Sequence, residues 1–148
     1  MNGYVLFRLG DRRFVTKLDE VREIVRLSGL EPLPGMRPPL AGVVVLRGQP
    51  LPVLDVRGAD QVGADGGDVL VMDVDGDAIG VAVDQVLAVL GRDELQAGEP
   101  PAKALPDYVV GVRRDGNGPL LLVDLHLLLD VTTSGWRDAL AEQASVDA

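Results

Sequence analysis

The chain has 148 residues, and its 14 Lys plus Arg against 23 Asp plus Glu give a formal net charge of −9. It holds 23 Val and 23 Leu but only two Phe, two Tyr and one Trp, with 18 Gly, 10 Pro and no Cys. This describes about one ordinary domain with an aliphatic, turn-rich interior. It excludes a disordered chain, a nucleic-acid binder relying on Lys and Arg, and any disulfide framework, thiolate metal site or cysteine nucleophile. The N-terminus lacks the basic region and apolar stretch of a signal peptide. The longest uncharged apolar run, about 38–46, falls short of the ~20 residues a membrane helix needs. A soluble cytoplasmic protein is the expectation.

Residues 4–9 are β-prone, 10–12 form a turn, and 13–18 alternate polar and apolar side chains as a half-buried strand does. Asp19 is placed to cap a helix, with Glu20 in its first turn. Val21, Ile24 and Val25 at i, i+3, i+4 predict a short helix over 19–25. Pro32, Pro34, Pro38 and Pro39 make 29–39 a loop. Strands are predicted over 42–46 and 51–56 around a turn at 47–50. The four glycines of 57–68 read as a mobile connector. Strands follow over 69–74 and 78–83, joined by the hairpin signal Asp75-Gly76, and Asp84 again has the look of a cap. A loop is predicted over 91–107, then a hairpin from 109–113 and 120–123, then a helix over 125–130. Ser134 is placed to cap a final helix in which Trp136, Leu140 and Ala144 share a face.

The pattern recurs. A shift of 65 residues lays 4–21 on 69–86 without a gap, bringing Asp19 onto Asp84. A shift of 69 lays 42–56 on 111–125, bringing Gly42 onto Gly111, Pro50 onto Pro119 and Asp55 onto Asp124. These matches go beyond apolar alternation and point to an internal duplication. Each half is a hairpin, a short helix, a loop and a second hairpin, which is the plan of a small β-barrel. A half of ~65 residues buries too little surface to stand comfortably alone, so the halves should pack together.

Catalytic material is scarce. The lone His126 sits among leucines, and no Gly-x-Ser-x-Gly elbow exists. Asp73, Asp75, Asp77 and Asp84 mimic a calcium loop but put Ala78 where glycine is needed and Asp where the bidentate Glu belongs. No metal site, cofactor or enzymatic activity is expected. The asymmetry between the halves is more informative. The turn after Val45-Leu46 places Arg47 before Gly48, whereas its counterpart at 114–119 is generic. An arginine there can meet an acidic partner in fork geometry beside an apolar strand.

The segment Gly42-Val43-Val44-Val45-Leu46-Arg47-Gly48-Gln49-Pro50-Leu51-Pro52-Val53-Leu54-Asp55 resembles the signature of the CheW-like coupling domain. So do 5–11 with Asp19, Val21, Glu23 and Ile24, then Gly80 to Val86, and Tyr108 to Val112. The resemblance covers nearly all of 4–130. It implies a mainly β fold of two SH3-like five-stranded β-barrels packed side by side, with short helices. A single CheW-like domain over 1–135 would hold a first barrel at roughly 15–68 and a second at roughly 69–130, the N-terminal strand open to sharing. A C-terminal helix or tail would occupy 136–148. It implies a non-enzymatic adaptor coupling the cytoplasmic tip of a methyl-accepting chemoreceptor to a CheA-type histidine kinase, cytoplasmic and recruited to membrane receptor arrays. The alternatives are an adaptor of a pilus or gliding motility kinase system and, from another class, a calcium-binding β-domain. Carried over position by position, Arg47, Glu23, Gly42, Leu46, Gly48 and Val45 become the partner-binding set, and Asp19, Asp55, Asp84 and Gly111 a structural signature. Val45 stands where the family usually has Asn. Val56-Arg57-Gly58-Ala59 stands where it continues with Leu and a short helix.

Overall fold

The computed structural model describes residues 3–58 and 61–132. Strand β1 (Gly3–Leu9) turns at Gly10-Asp11 into β2 (Arg12–Lys17), and a 3-10 turn over Leu18–Glu20 leads to β3 (Glu23–Arg26). Then come β4 (Leu40–Leu46), β5 (Gln49–Asp55), β6 (Asp68–Val74), β7 (Asp77–Val83) and β8 (Gln85–Gly91). A second 3-10 turn (Arg92–Glu94) precedes the two-residue β9 (Gln96–Ala97). The described chain closes with β10 (Val109–Asp115), β11 (Gly118–Val123) and α1 (Leu125–Thr132).

Two expectations need correcting. The helix over 19–25 is a 3-10 turn followed by a strand, and Asp19 lies inside that turn, whose cap position is held by Lys17. Glu23-Ile24-Val25-Arg26 pairs with β6 from Glu23↔Val71 to Arg26↔Asp68. A vacant sheet edge outweighs a single i, i+3, i+4 match in a β-branched segment. For the same reason Asp84 starts no helix; β8 follows it, and its carboxylate accepts the Gly10 N–H at 2.7 Å. The described part of the glycine-rich connector is folded around Arg57, whose side chain is 2% exposed. The final helix expected at 136–148, with its Ser134 cap, lies outside the described residues.

The strands form two sheets, ordered β8-β1-β2-β11-β10-β9 and β3-β6-β7-β5-β4. Each curls into a small SH3-like barrel, and the two pack side by side. The offsets seen in the sequence map β1 onto β6, β2 onto β7, β3 onto β8, β4 onto β10 and β5 onto β11. Under that mapping the two sheets have the same strand order, apart from the added β9. The halves exchange parts, however. The β1–β2 hairpin completes the barrel built from β8, β10 and β11, and β6–β7 completes the barrel built from β3, β4 and β5. The barrels therefore do not follow the expected division at 68/69: one comprises 23–83, the other 3–17 with 85–123.

Exchange dictates the core. Strand β6 is apolar on both faces because both are covered. Val69 and Val71 face the interior of their own barrel with Leu51, Val53 and Leu27. Leu70, Met72 and Val74 face the other barrel, meeting Val5, Phe7, Leu125 and Leu129. In the second barrel Leu6, Val15, Leu120 and Leu122 fill the interior. The cluster between the barrels is the largest of the three, so the protein is held together where the halves meet.

Candidate partner-docking site

The β4–β5 hairpin closes on the pair Leu46↔Gln49, with Arg47 and Gly48 as a two-residue turn at φ 49° and 79°. Two positive φ values match the right-handed twist of the strands. Glycine takes this conformation freely, but an arginine held there costs of order 1–3 kcal/mol. The turn aims Arg47 at Glu23, where Nη2 donates to Oε2 at 2.7 Å and also to Oε1. Strands β3 and β4 are the two ends of their sheet. The ion pair therefore spans the seam at which the barrel closes. Arg47 is 65% exposed and Glu23 26%, so the pair contributes little to stability. Among the described residues, the hydrogen bonds of the Arg47 guanidinium run from Nη2 alone.

Strand β4 is an edge. Val43 exchanges backbone bonds of 2.9 Å with Glu31 on its open side. By antiparallel alternation, the N–H and C=O of Val45 face the same side, beyond the point where Glu31 covers it. The Val45 side chain is 72% exposed. On the other flank, Pro50 and Pro52 lie opposite Val45 and Val43. Their nitrogens face β7 and carry no hydrogen, so the β5–β7 ladder begins only at Val53↔Gly80. The unpaired stretch leaves a groove of about 510 Å³, lined by Arg22, Leu46, Arg47, Pro50, Pro52 and Ile79 among others.

The structure thus brings Arg47, Glu23, Val45, Leu46 and Gly48 together at one surface. Gly42 lies beneath it, buried at a bulge in β4 with φ 150°, and a Cβ there would collide with the Glu31 backbone oxygen. The lack of a side chain there lets the 31–32 backbone approach. Asp55 is buried against Arg57, and Gly111 occupies the matching bulge of β10. Asp19 and Asp84 lie in turns away from the groove. Sequence reasoning missed Arg22, Glu31, Pro50, Pro52 and Arg57 as contributors. The alternating prolines of β5 were the available signal, since a strand proline marks an unpaired edge.

The calcium reading fails on geometry. Asp75-Gly76 is a two-residue turn, Asp73 pairs with Arg22 at 3.1 Å, and Asp84 lies at the far end of β7. At ~3.3 Å per strand residue that is roughly 20 Å away. Glu20, Asp124 and His126 do cluster. Glu20 accepts from the Thr16 hydroxyl (2.7 Å) and the Leu125 N–H (3.1 Å), and Asp124 accepts from the Leu127 N–H (3.0 Å). Both carboxylates serve the start of α1, which disfavours a cation.

The second barrel closes the equivalent surface. Its edge β10 is covered by β9, through Arg113↔Ala97 and Arg114↔Gln96. Arg13 forks onto Asp115 at 2.8 and 3.2 Å. The hydrogen bonds from Arg13, more than compensating for desolvation, hold the Asp115 carboxyl below its usual value. The β11–β2 ladder begins one position earlier than its counterpart, at Leu121↔Phe14.

The family profile described as CheW-like domain matches residues 3–133. A curated relative, "Chemotaxis protein CheW" of Treponema pallidum, is 24% identical over 135 residues, covering 84% of this chain and 79% of the relative. The crystal structure of scaffolding protein TtCheW from Thermoanaerobacter tengcongensis superposes with a TM-score of 0.67 at 21% identity, covering 87% of this chain and 92% of that one.

Proposed function

The chain belongs to the CheW-like domain family, and from that premise we propose that it is a non-enzymatic scaffold coupling chemoreceptor tips to a CheA-type histidine kinase. The observation that carries this reading is the open seam of the first barrel. There an exposed apolar edge at Val45, the proline-walled groove and the surface pair Arg47–Glu23 lie side by side, while the matching surface of the second barrel is sealed. Apolar contacts in the groove would give affinity, and the charges would set register and association rate. A sheet edge with an uncovered backbone also suits strand addition. No helix among the described residues is long and apolar enough to cross a membrane. Recruitment to receptor arrays in this reading goes through the receptor itself.

The test is titration of the kinase's regulatory domain against wild type and Arg47→Glu, with circular dichroism as the fold control. The charge reversal sets two acidic groups against each other at the seam and is expected to weaken binding by more than roughly tenfold. Equal affinities for the two proteins would overturn the assignment of this surface.

A further inference from the structure

The residue that follows Asp55 by two, Arg57, does something that no surface role explains. In the second half, Asp124 caps α1. In the first, the corresponding Asp55 is followed by a loop, and the two side chains of Asp55 and Arg57 are 0% and 2% exposed. Asp55 accepts from Arg57 Nε (2.9 Å), Nη2 (2.7 Å) and N (3.0 Å) and from the Gly63 N–H (2.9 Å). The same guanidinium donates to the carbonyls of Ala64 (2.7 Å) and Gly66 (2.9 Å). One buried pair thus fixes the backbone of 63–66.

That loop in turn holds the segment joining β3 to β4. Gly66 N–H donates to Leu27 C=O at 2.9 Å, and Leu27 N–H to Gly67 C=O at 3.1 Å. The Asp65 carboxylate accepts from the N–H groups of Gly29 (3.2 Å) and Leu30 (3.1 Å). Next along the chain is Glu31, whose two backbone bonds to Val43 are the bridge onto the β4 edge. Leu27 directly follows the strand carrying Glu23, and Val43 lies in the strand leading to Arg47. Replacing a buried ion pair by apolar side chains is often neutral or stabilising. What Arg57 supplies beyond stability is position.

We propose that Arg57 is a positioning residue for the docking seam: it pins 63–67, which pins 27–31, which sets the spacing of β3 and β4 and hence the placement of Val45, Arg47 and Glu23. The docking half of this proposal rests on the function proposed above; the tether does not.

Amide hydrogen exchange on the full chain tests the tether, with Asp65→Ala and the double variant Asp55→Asn/Arg57→Met. Asp65 is exposed, so its variant leaves the buried pair intact. The double variant avoids stranding one buried charge. The informative amides are Glu31 and Val43, because neither variant removes their own partner. They are expected to exchange roughly tenfold faster in both variants, with the β10–β11 amides unchanged. Unchanged Glu31 and Val43 amides, or an equal acceleration of every amide, would overturn the tether. In the same variants affinity for the kinase regulatory domain is expected to fall about fivefold or more. Wild-type affinity despite faster exchange would overturn the link to docking. A wild type that does not bind the kinase domain would sink the function proposed above, while the exchange data would still decide the tether.

Discussion

The two barrels are built from the same parts in the same order and differ at their mouths. Where the second carries Arg13 and Asp115, the first carries Ala78 and Leu46 at the 65- and 69-residue offsets. The second covers its edge with β9, whereas the first leaves Val45 open. Pro52 in β5 corresponds to Leu121 in β11, and the change from a proline to a residue with an N–H moves the start of the parallel ladder by one position. Of two like barrels, one thus has its rim covered and the other has it open. The difference is carried by a few side chains at one rim, while both interiors remain aliphatic.

The largest effect should come from breaking what the first barrel has and the second lacks. Arg57→Met strands the buried Asp55 carboxylate and is expected to cost about 3–5 kcal/mol in urea denaturation. Acid probes the same pair. Burial pushes the Asp55 carboxyl up, but the Arg57 side chain and the N–H groups of Gly63 and Arg57 together bring it below its ordinary value. A carboxyl depressed in the folded state stabilises above its unfolded pKa of about 3.9 and loses that contribution as pH falls through the lower folded value. Wild type should lose this increment below about pH 4, and Asp55→Asn/Arg57→Met should show a flatter profile there.

A second experiment converts one mouth into the other. Ala78→Arg with Leu46→Asp installs the second barrel's ion pair across the open groove. It should weaken partner binding roughly tenfold, or about 1.4 kcal/mol, in a calorimetric titration of the folded variant. Retained affinity would mean that the groove is not where the partner sits. Smaller is the effect of Asp124→Ala, which removes the carboxylate accepting the Leu127 N–H. It should cost about 1 kcal/mol by thermal or urea unfolding. Smallest is Arg13→Ala. The pair with Asp115 is partly exposed, so a loss of roughly 0.5–1 kcal/mol that shrinks in high salt is expected.

The hairpins were legible because alternation and tight turns are local. The offsets of 65 and 69 were legible too, and they reproduce the strand correspondences of both barrels. What the offsets could not show is which hairpin joins which barrel, since that depends on pairings between distant segments. Strands β3 and β8 looked like helix starts because Asp19 and Asp84 resemble caps, while the sheet edges that claim these segments are invisible in one dimension. At the site, the resemblance pointed to Arg47 and Glu23. Their meeting across a seam depends on β3 and β4 ending at opposite edges of one rolled sheet. Arg57 was hidden by its neighbours. Glycines at 58, 63, 66 and 67 suggest looseness, yet the same lack of side chains lets the backbone wrap closely around one buried guanidinium.

The exchange of hairpins between the halves makes the two barrels unequal in the stretch of chain that must be synthesised before each has all its strands. Of the described strands, β1 and β2 leave the ribosome first, yet they belong to the barrel whose strands are completed last. Thr16 meets the Val123 carbonyl across 107 residues of chain. At ~5–20 residues per second the opening hairpin waits on the order of ten seconds for β11. Meanwhile all strands of the barrel spanning 23–83 are available once β7 emerges, and its outer wall of Leu70, Met72 and Val74 is the apolar surface that β1 packs against in the finished fold. The barrel with the open mouth is thus continuous in sequence, whereas its sealed twin has to join two segments from either side of it.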